Sequence, residues 1–198
     1  VMDGIFQLED DIANSPQPSA KPGDVKVKDV NSDGEITADD RDFIGKLEPD
    51  FYAGLLNTFN YNNISFSFSL YAVQGVTRAN SLLNTQVTWD GTLRNTIHRE
   101  FWTPENPINT YPRNDYNANP YNVVFYQDAS FIRVKDITLR YKINESILQK
   151  IMMNSLEIYA TVTNPYTFTK WEGMDPELQN QTSIPLTRSY LFGINLNF

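Results

Sequence analysis

The chain has 198 residues, of which 40% are apolar, enough for one domain with a core of its own. A formal charge of −8 argues against nucleic acid and other polyanionic partners, and the absence of cysteine excludes a disulfide framework or a thiolate metal site. No apolar run approaches the ~18–20 residues of a membrane-spanning helix, which leaves a β-barrel open, because barrel strands alternate apolar and polar residues.

Aromatic residues make up 13% of the chain and there are 11 prolines, a composition that favours strands and loops over helices. The opening Val1-Met2-Asp3 runs into polar sequence with no secretory leader pattern, so an exported protein would have to begin upstream of it. The first strong motif is DVNSDGEITADD, Asp29 to Asp40, within residues 24–45. Asp29, Asn31 and Asp33 stand at positions 1, 3 and 5 of an EF-hand-like loop, Gly34 at 6, Glu35 at 7, and Asp40 at 12. Oxygen donors at that spacing wrap a hard cation. Gly34 permits the sharp turn, the Glu35 carbonyl faces inward, and Asp40 closes the shell where Glu is usual. Only Ala38 to Gly45 could form a flanking helix, so a lone, structural calcium loop is expected. The same residues are turn formers, and a solvated acidic turn is the competing reading.

Strands follow. From Phe51 to Tyr61, Phe51, Ala53, Leu55, Phe59 and Tyr61 share one parity; in ISFSFSLYA, Ile64, Phe66, Phe68, Leu70 and Ala72 oppose Ser65, Ser67 and Ser69. Tyr61-Asn62-Asn63 between them predicts a tight hairpin. Residues 74–128 carry only weak strand or helix signal and read as a long loop. They hold Trp89, Trp102 and His98, and this single histidine reads as a packing residue, not a catalyst. Trp89 and Trp102 could meet a substrate or partner, although the prolines of FWTPENP suggest that Trp102 packs within its own loop. Between Phe131 and Ile143 the phase slips: Ile132 and Val134 precede Ile137, Leu139, Tyr141 and Ile143. Either a β-bulge near Lys135-Asp136 or a change of neighbour would produce this. Residues 144–154 form a modest link with a helical turn in ESILQKIMM, and Ser155 to Asn164 alternates again. Residues 164–188 read as a second long loop, carrying Tyr166 and Trp171 as further recognition candidates. The last strand, SYLFGINLNF, places Tyr190, Phe192, Ile194, Leu196 and Phe198 on one face.

Alternation alone suits a β-sandwich as well as a barrel. Connection lengths alternate short and long, as in outer-membrane barrels, whereas a compact soluble domain rarely holds an unstructured loop beyond ~15 residues. No phosphate-binding loop, GxSxG elbow or HExxH motif is present, and no enzymatic activity is expected.

Read together, KPGDVKVKDVNSDGEITADDRDFIG, FWTPENPINTYPR, ASFIRVKDITLRYKI, TNPYTFTKWEGMDPE and RSYLFGINLNF make the chain resemble the C-terminal part of SusC/RagA-type TonB-linked outer-membrane receptors over essentially its whole length. The resemblance implies an all-β fold. Residues 1–198 would supply about five antiparallel C-terminal strands of a transmembrane barrel of about 22 strands, with no plug domain in this chain. It further implies outer-membrane import of glycan or peptide fragments, a SusD-like lipoprotein as partner, and TonB contact through an N-terminal region that the chain lacks. Residues 24–45, 74–128 and 164–188 would then be extracellular, lipid would cover the apolar face, and Phe198 would act as the barrel-assembly signal. The alternative is a secreted, soluble β-sandwich that binds carbohydrate and carries a structural calcium. A glycan-cleaving enzyme using paired carboxylates is the weakest reading.

Overall fold

The structure, a computed structural model, describes residues 1–80, 82–83, 100–114, 121, 123–149, 153–178 and 183–197. It contains two compact units, one chiefly of Val1–Gly45 and Arg78–Gln127, the other chiefly of Lys46–Thr77, Asp128–Gln179 and Ser183–Phe198.

The second unit is built on one five-stranded sheet. Its strands are β3 (Phe51–Tyr61), β4 (Ile64–Gln74), β7 (Phe131–Lys142), β8 (Ser155–Thr169) and β9 (Ser189–Asn197), in the order β3-β4-β7-β8-β9. All neighbours pair antiparallel, so the sheet is a meander whose long strands follow one another in the chain. At 9 to 15 residues each, the strands exceed the five or six residues usual in soluble sheets and reach the length needed to cross a bilayer at a tilt. The hairpin at Asn62-Asn63 and the link holding a helical turn at Glu145–Leu148 lie at one end of the sheet, where Asn63 Nδ2 donates to the Lys142 carbonyl at 2.7 Å. Both long connections leave from the other end.

Register sorts the faces. Phe59, Phe66, Leu139, Ala160 and Phe192 form one cross-sheet row, and Tyr61, Ile64, Tyr141, Ile158 and Ile194 form the next. The opposite face carries rows such as Thr58-Ser67-Thr138-Thr161-Leu191 and Asn60-Ser65-Arg140-Tyr159-Gly193. The apolar face is open: Phe192 is 78% exposed, and Phe59, Tyr61, Leu139, Ile158 and Ile194 are also exposed. Among the described residues no second sheet covers it, which removes the expectation of a sandwich core. A contiguous apolar surface of this kind marks contact with a membrane or another protein.

The phase slip in β7 is a bulge. Val134 and Asp136 pair with consecutive residues of β4, and both neighbours of β7 stay the same across the slip, so Lys135 is the extra residue. On β8, Asn164 and Pro165 fall opposite that bulge, between partners Thr163 and Tyr166. The missing N–H of Pro165 therefore falls where no ladder bond is needed, and Asn164 takes a φ of 50°, which its side chain tolerates better than most. This is why β8 continues to Thr169 instead of stopping where residues 164–188 were expected to open into a loop. Tyr166 consequently sits on a strand.

The 74–128 segment is also more structured than expected. Its ends pair as β5 (Thr77–Ala79) and β6 (Tyr126–Asp128). Much of what lies between folds with the N-terminal residues into the first unit. There β1 (Met2–Ile5) pairs antiparallel with β2 (Val25–Val27), and Ile5, Val25, Val27, Leu83, Trp102 and Phe125 form a buried core. Gly23, at φ 87°, lets the KPGD turn pass under the Trp102 ring, where a Cβ would strike both that ring and the Arg113 side chain. Arg113 closes the turn through its Nε to Asp24 at 2.8 Å.

Candidate functional site

The acidic loop is a coil of local hydrogen bonds. Asp29 accepts from the amides of Ser32 (2.6 Å) and Gly34 (2.8 Å); Asp33 accepts from the Glu35 amide at 2.9 Å and from Asn31 Nδ2 at 2.8 Å. Ser32 and Gly34 both have positive φ, at 60° and 87°. Asp40, 3% exposed, ties the far end back: its two carboxylate oxygens accept from Val30 and Thr37 at 2.8 and 2.7 Å, and Thr37 caps the short helical turn at Ala38–Asp40. The Thr37 amide, with those of Val30 and Asn31, holds the Asp40 carboxyl below its ordinary value against an upward pull from burial. This closure is fully in place above the unfolded value of 3.8 and is lost as the pH falls through the lower folded value.

The donor set suits a hard cation, being oxygen throughout. Among the described residues, however, no three acidic or histidine side chains are gathered into a metal-holding cluster. The carboxylates of Asp29, Asp33 and Asp40 are each turned onto the loop's own backbone.

The aromatic candidates separate. Trp102 is buried in the first unit's core and donates its Nε1 to Gln7 Oε1 at 2.8 Å, so it joins its own segment to N-terminal residues instead of packing within its loop alone. Trp171 is buried in the second unit with Val73, Val76, Ala129 and Phe131. Neither offers a ring face to a substrate. Tyr166 is exposed on the apolar face of β8, with its ring 4.6 Å from that of Phe168 in an edge contact. Trp89, His98 and Phe198 lie outside the described residues.

The polar face carries an ordered network. Asp136 accepts from the Ser69 hydroxyl, the Thr138 and Thr161 hydroxyls meet at 2.9 Å, and Glu157 binds Arg140 at 3.3 Å and Asn195 at 3.2 Å. Tyr159 lies across Gly193, where any Cβ would collide with its ring. Near the end from which the long connections leave, the chain after β8 turns back over this face. Arg133, 1% exposed, donates its Nε to Thr167 Oγ1 at 3.0 Å, its Nη2 to Asp175 at 2.7 Å and its Nη1 to Glu177, with the Phe131 ring 4.9 Å from its Cζ. This arrangement leaves little trace in the sequence. Its visible signals were an arginine sharing parity with Phe131 in a strand and a pair of acids two residues apart in DPE.

No family model matches the chain. TonB-dependent receptor P26 of Formosa agariphila is 28% identical over 194 residues, covering 89% of this chain and 20% of the receptor. TonB-dependent receptor P39 of the same organism is 30% identical over 172 residues, 80% of this chain and 16% of its own length. TonB-dependent receptor SusC of Bacteroides thetaiotaomicron is 28% identical, covering 91% and 18%. The chain thus spans about a fifth of the length of the curated relatives it matches. Among solved structures, the RagAB peptide importer is similar in fold in its open-open state, with TM-score 0.67, 19% identity and coverage of 100% of this chain and 22% of that one. In the closed-closed state the TM-score is 0.66 at 21% identity, over 84% of this chain and 20% of that one.

Proposed function

We propose that this chain, a segment of the barrel wall of a SusC/RagA-type TonB-dependent receptor, forms part of an outer-membrane channel for active nutrient uptake. One observation carries the reading: a meander of long strands with an open apolar face on one side and a hydrogen-bonded polar face on the other. Lipid would cover the rows from Phe59 to Phe192 and from Tyr61 to Ile194, and the polar rows would line the passage. Five strands cannot close a barrel, and the outer edges of β3 and β9 await further strands. In this reading the cargo is a glycan or peptide fragment, a SusD-like lipoprotein covers the mouth, and TonB supplies the work through another part of the receptor. No covalent chemistry is assigned.

The test is membrane partition. The full-length receptor should sediment with outer membranes, need detergent for extraction, and migrate on gels in a heat-modifiable way. A receptor that stays monodisperse without detergent defeats the reading. Deleting Phe198 should sharply lower the heat-modifiable, inserted fraction while leaving synthesis unchanged; equal insertion would show that this residue is no assembly signal.

The acidic loop is assigned a structural calcium held by Asp29, Asn31, Asp33, the Glu35 carbonyl and Asp40. The ion would supply charge that lets these acids share one turn, and so order the surface that meets a partner. Chelation, or Asp33→Ala, should speed proteolysis within residues 24–45 several-fold and leave the barrel heat-modifiable. Unchanged cleavage on chelation would end the calcium assignment.

A further inference from the structure

The turn-back after β8 has more anchors than a connection needs. Trp171 inserts among Val73, Val76, Ala129 and Phe131, and its amide donates to Thr169 Oγ1 at 3.1 Å, an oxygen that itself donates to the Ser130 carbonyl at 2.9 Å. Four residues on, Asp175 and then Glu177 bind the buried Arg133, and Asp175 also accepts the Glu177 amide at 2.9 Å. Val73, Phe131 and Arg133 all belong to the polar face: Val73 pairs with Phe131, and Arg133 follows at strand spacing. The segment therefore lies flat across that face as an added layer. Between its anchors, Glu172, Gly173 and Met174 are exposed, Met174 at 63%. Further along the same face the wall carries Ser65, Ser67, Thr138 and Thr161, with Arg140 and Tyr159 beside Ser65. The added layer is anchored at the level of Phe131 and Arg133.

We propose that Trp171–Glu177 is a strap that narrows the passage along this wall, clasped by Arg133, and that Glu172 and Met174 are the groups that passing cargo meets there. The proposal rests on reading the polar face as a lumen. Arg133 acts as a positioning residue, since it is buried beneath the strap. The strap's own exposed chemistry is a carboxylate beside a thioether, which favours cationic and apolar groups over anions. The one tryptophan of the strap is buried, so it gives a sugar ring no stacking surface. A peptide carrying basic and apolar side chains fits better.

The test uses the full-length receptor in planar bilayers, with urea added to displace whatever closes the channel. Graded polyethylene glycols measure width, and the reversal potential in a potassium chloride gradient measures charge selection. Met174→Trp should lower the largest polymer that enters. Glu177→Gln weakens the clasp and should raise that limit, and Glu172→Lys should shift the reversal potential toward anion preference. Heat-modifiable migration checks that each variant is folded. If the size variants fold and keep the parent's polymer limit, the strap does not set the width. An unchanged reversal potential in Glu172→Lys removes the cargo-contact role. A parent receptor that passes no current under any of these conditions sinks the lumen reading, and the strap with it; a conducting parent with unaltered limits sinks the strap alone.

Discussion

Replacing Arg133 with Met detaches the Trp171–Glu177 segment, with an expected loss of roughly 3–5 kcal/mol in its docking, because the buried Asp175 carboxylate loses its ion pair with the guanidinium. The sheet should survive, since the β7 ladders to β4 and β8 are unaffected, so the loss is local. Trypsin cleavage after Lys170 and a red shift of Trp171 emission read the detachment. Adding Asp175→Leu to Arg133→Met should recover much of the loss, as removal of a whole buried pair is far milder than removal of one member. If the single and double variants cleave at the same rate, packing by the arginine stem, and not its charge, holds the segment.

Trp102→Ala should cost the first unit about 3–5 kcal/mol. Among the described residues that core has six buried apolar members, and Trp102 also covers Gly23 and binds Gln7. A small core loses a large share of its stability when its largest member goes. The expected result is rapid proteolysis within residues 1–45 of the full-length receptor, at temperatures where the barrel remains heat-modifiable. Trp102→Phe should retain most of the packing and isolate the loss of the Gln7 bond. Protease resistance equal to the parent in Trp102→Ala would show that this unit is not held by that core.

The long strands could be read in the sequence because period-two alternation needs nothing but neighbours along the chain. Ile64, Phe66 and Phe68 against Ser65, Ser67 and Ser69 announce a two-faced strand wherever they sit. The end of β8 could not be read, because Asn164-Pro165 is a turn signal unless a partner strand bulges opposite it, and that partner lies some thirty residues upstream at Lys135. The first unit was illegible for a similar reason: Ile5, Val25, Trp102 and Phe125 share a core with no period linking them. Gly34 and the acidic spacing were plain in the sequence, whereas the way the Asp29 and Asp33 carboxylates turn onto their own backbone was not. Arg133 was hidden by its company, since an arginine in a strand usually faces water. Only the returning Asp175 and Glu177 show why this one does not.

The contact between Tyr159 and Gly193 bears on how the last two strands find their alignment. They are direct partners, and the tyrosine ring fills the place where a side chain at 193 would project. The smallest sliding error that keeps greasy side chains on their own side is two residues. Such an error would bring Leu191 or Asn195 beneath the ring, and neither fits in the space left by a hydrogen. The glycine thus works as a keyhole, admitting one alignment of β8 with β9 and rejecting its nearest misaligned rivals.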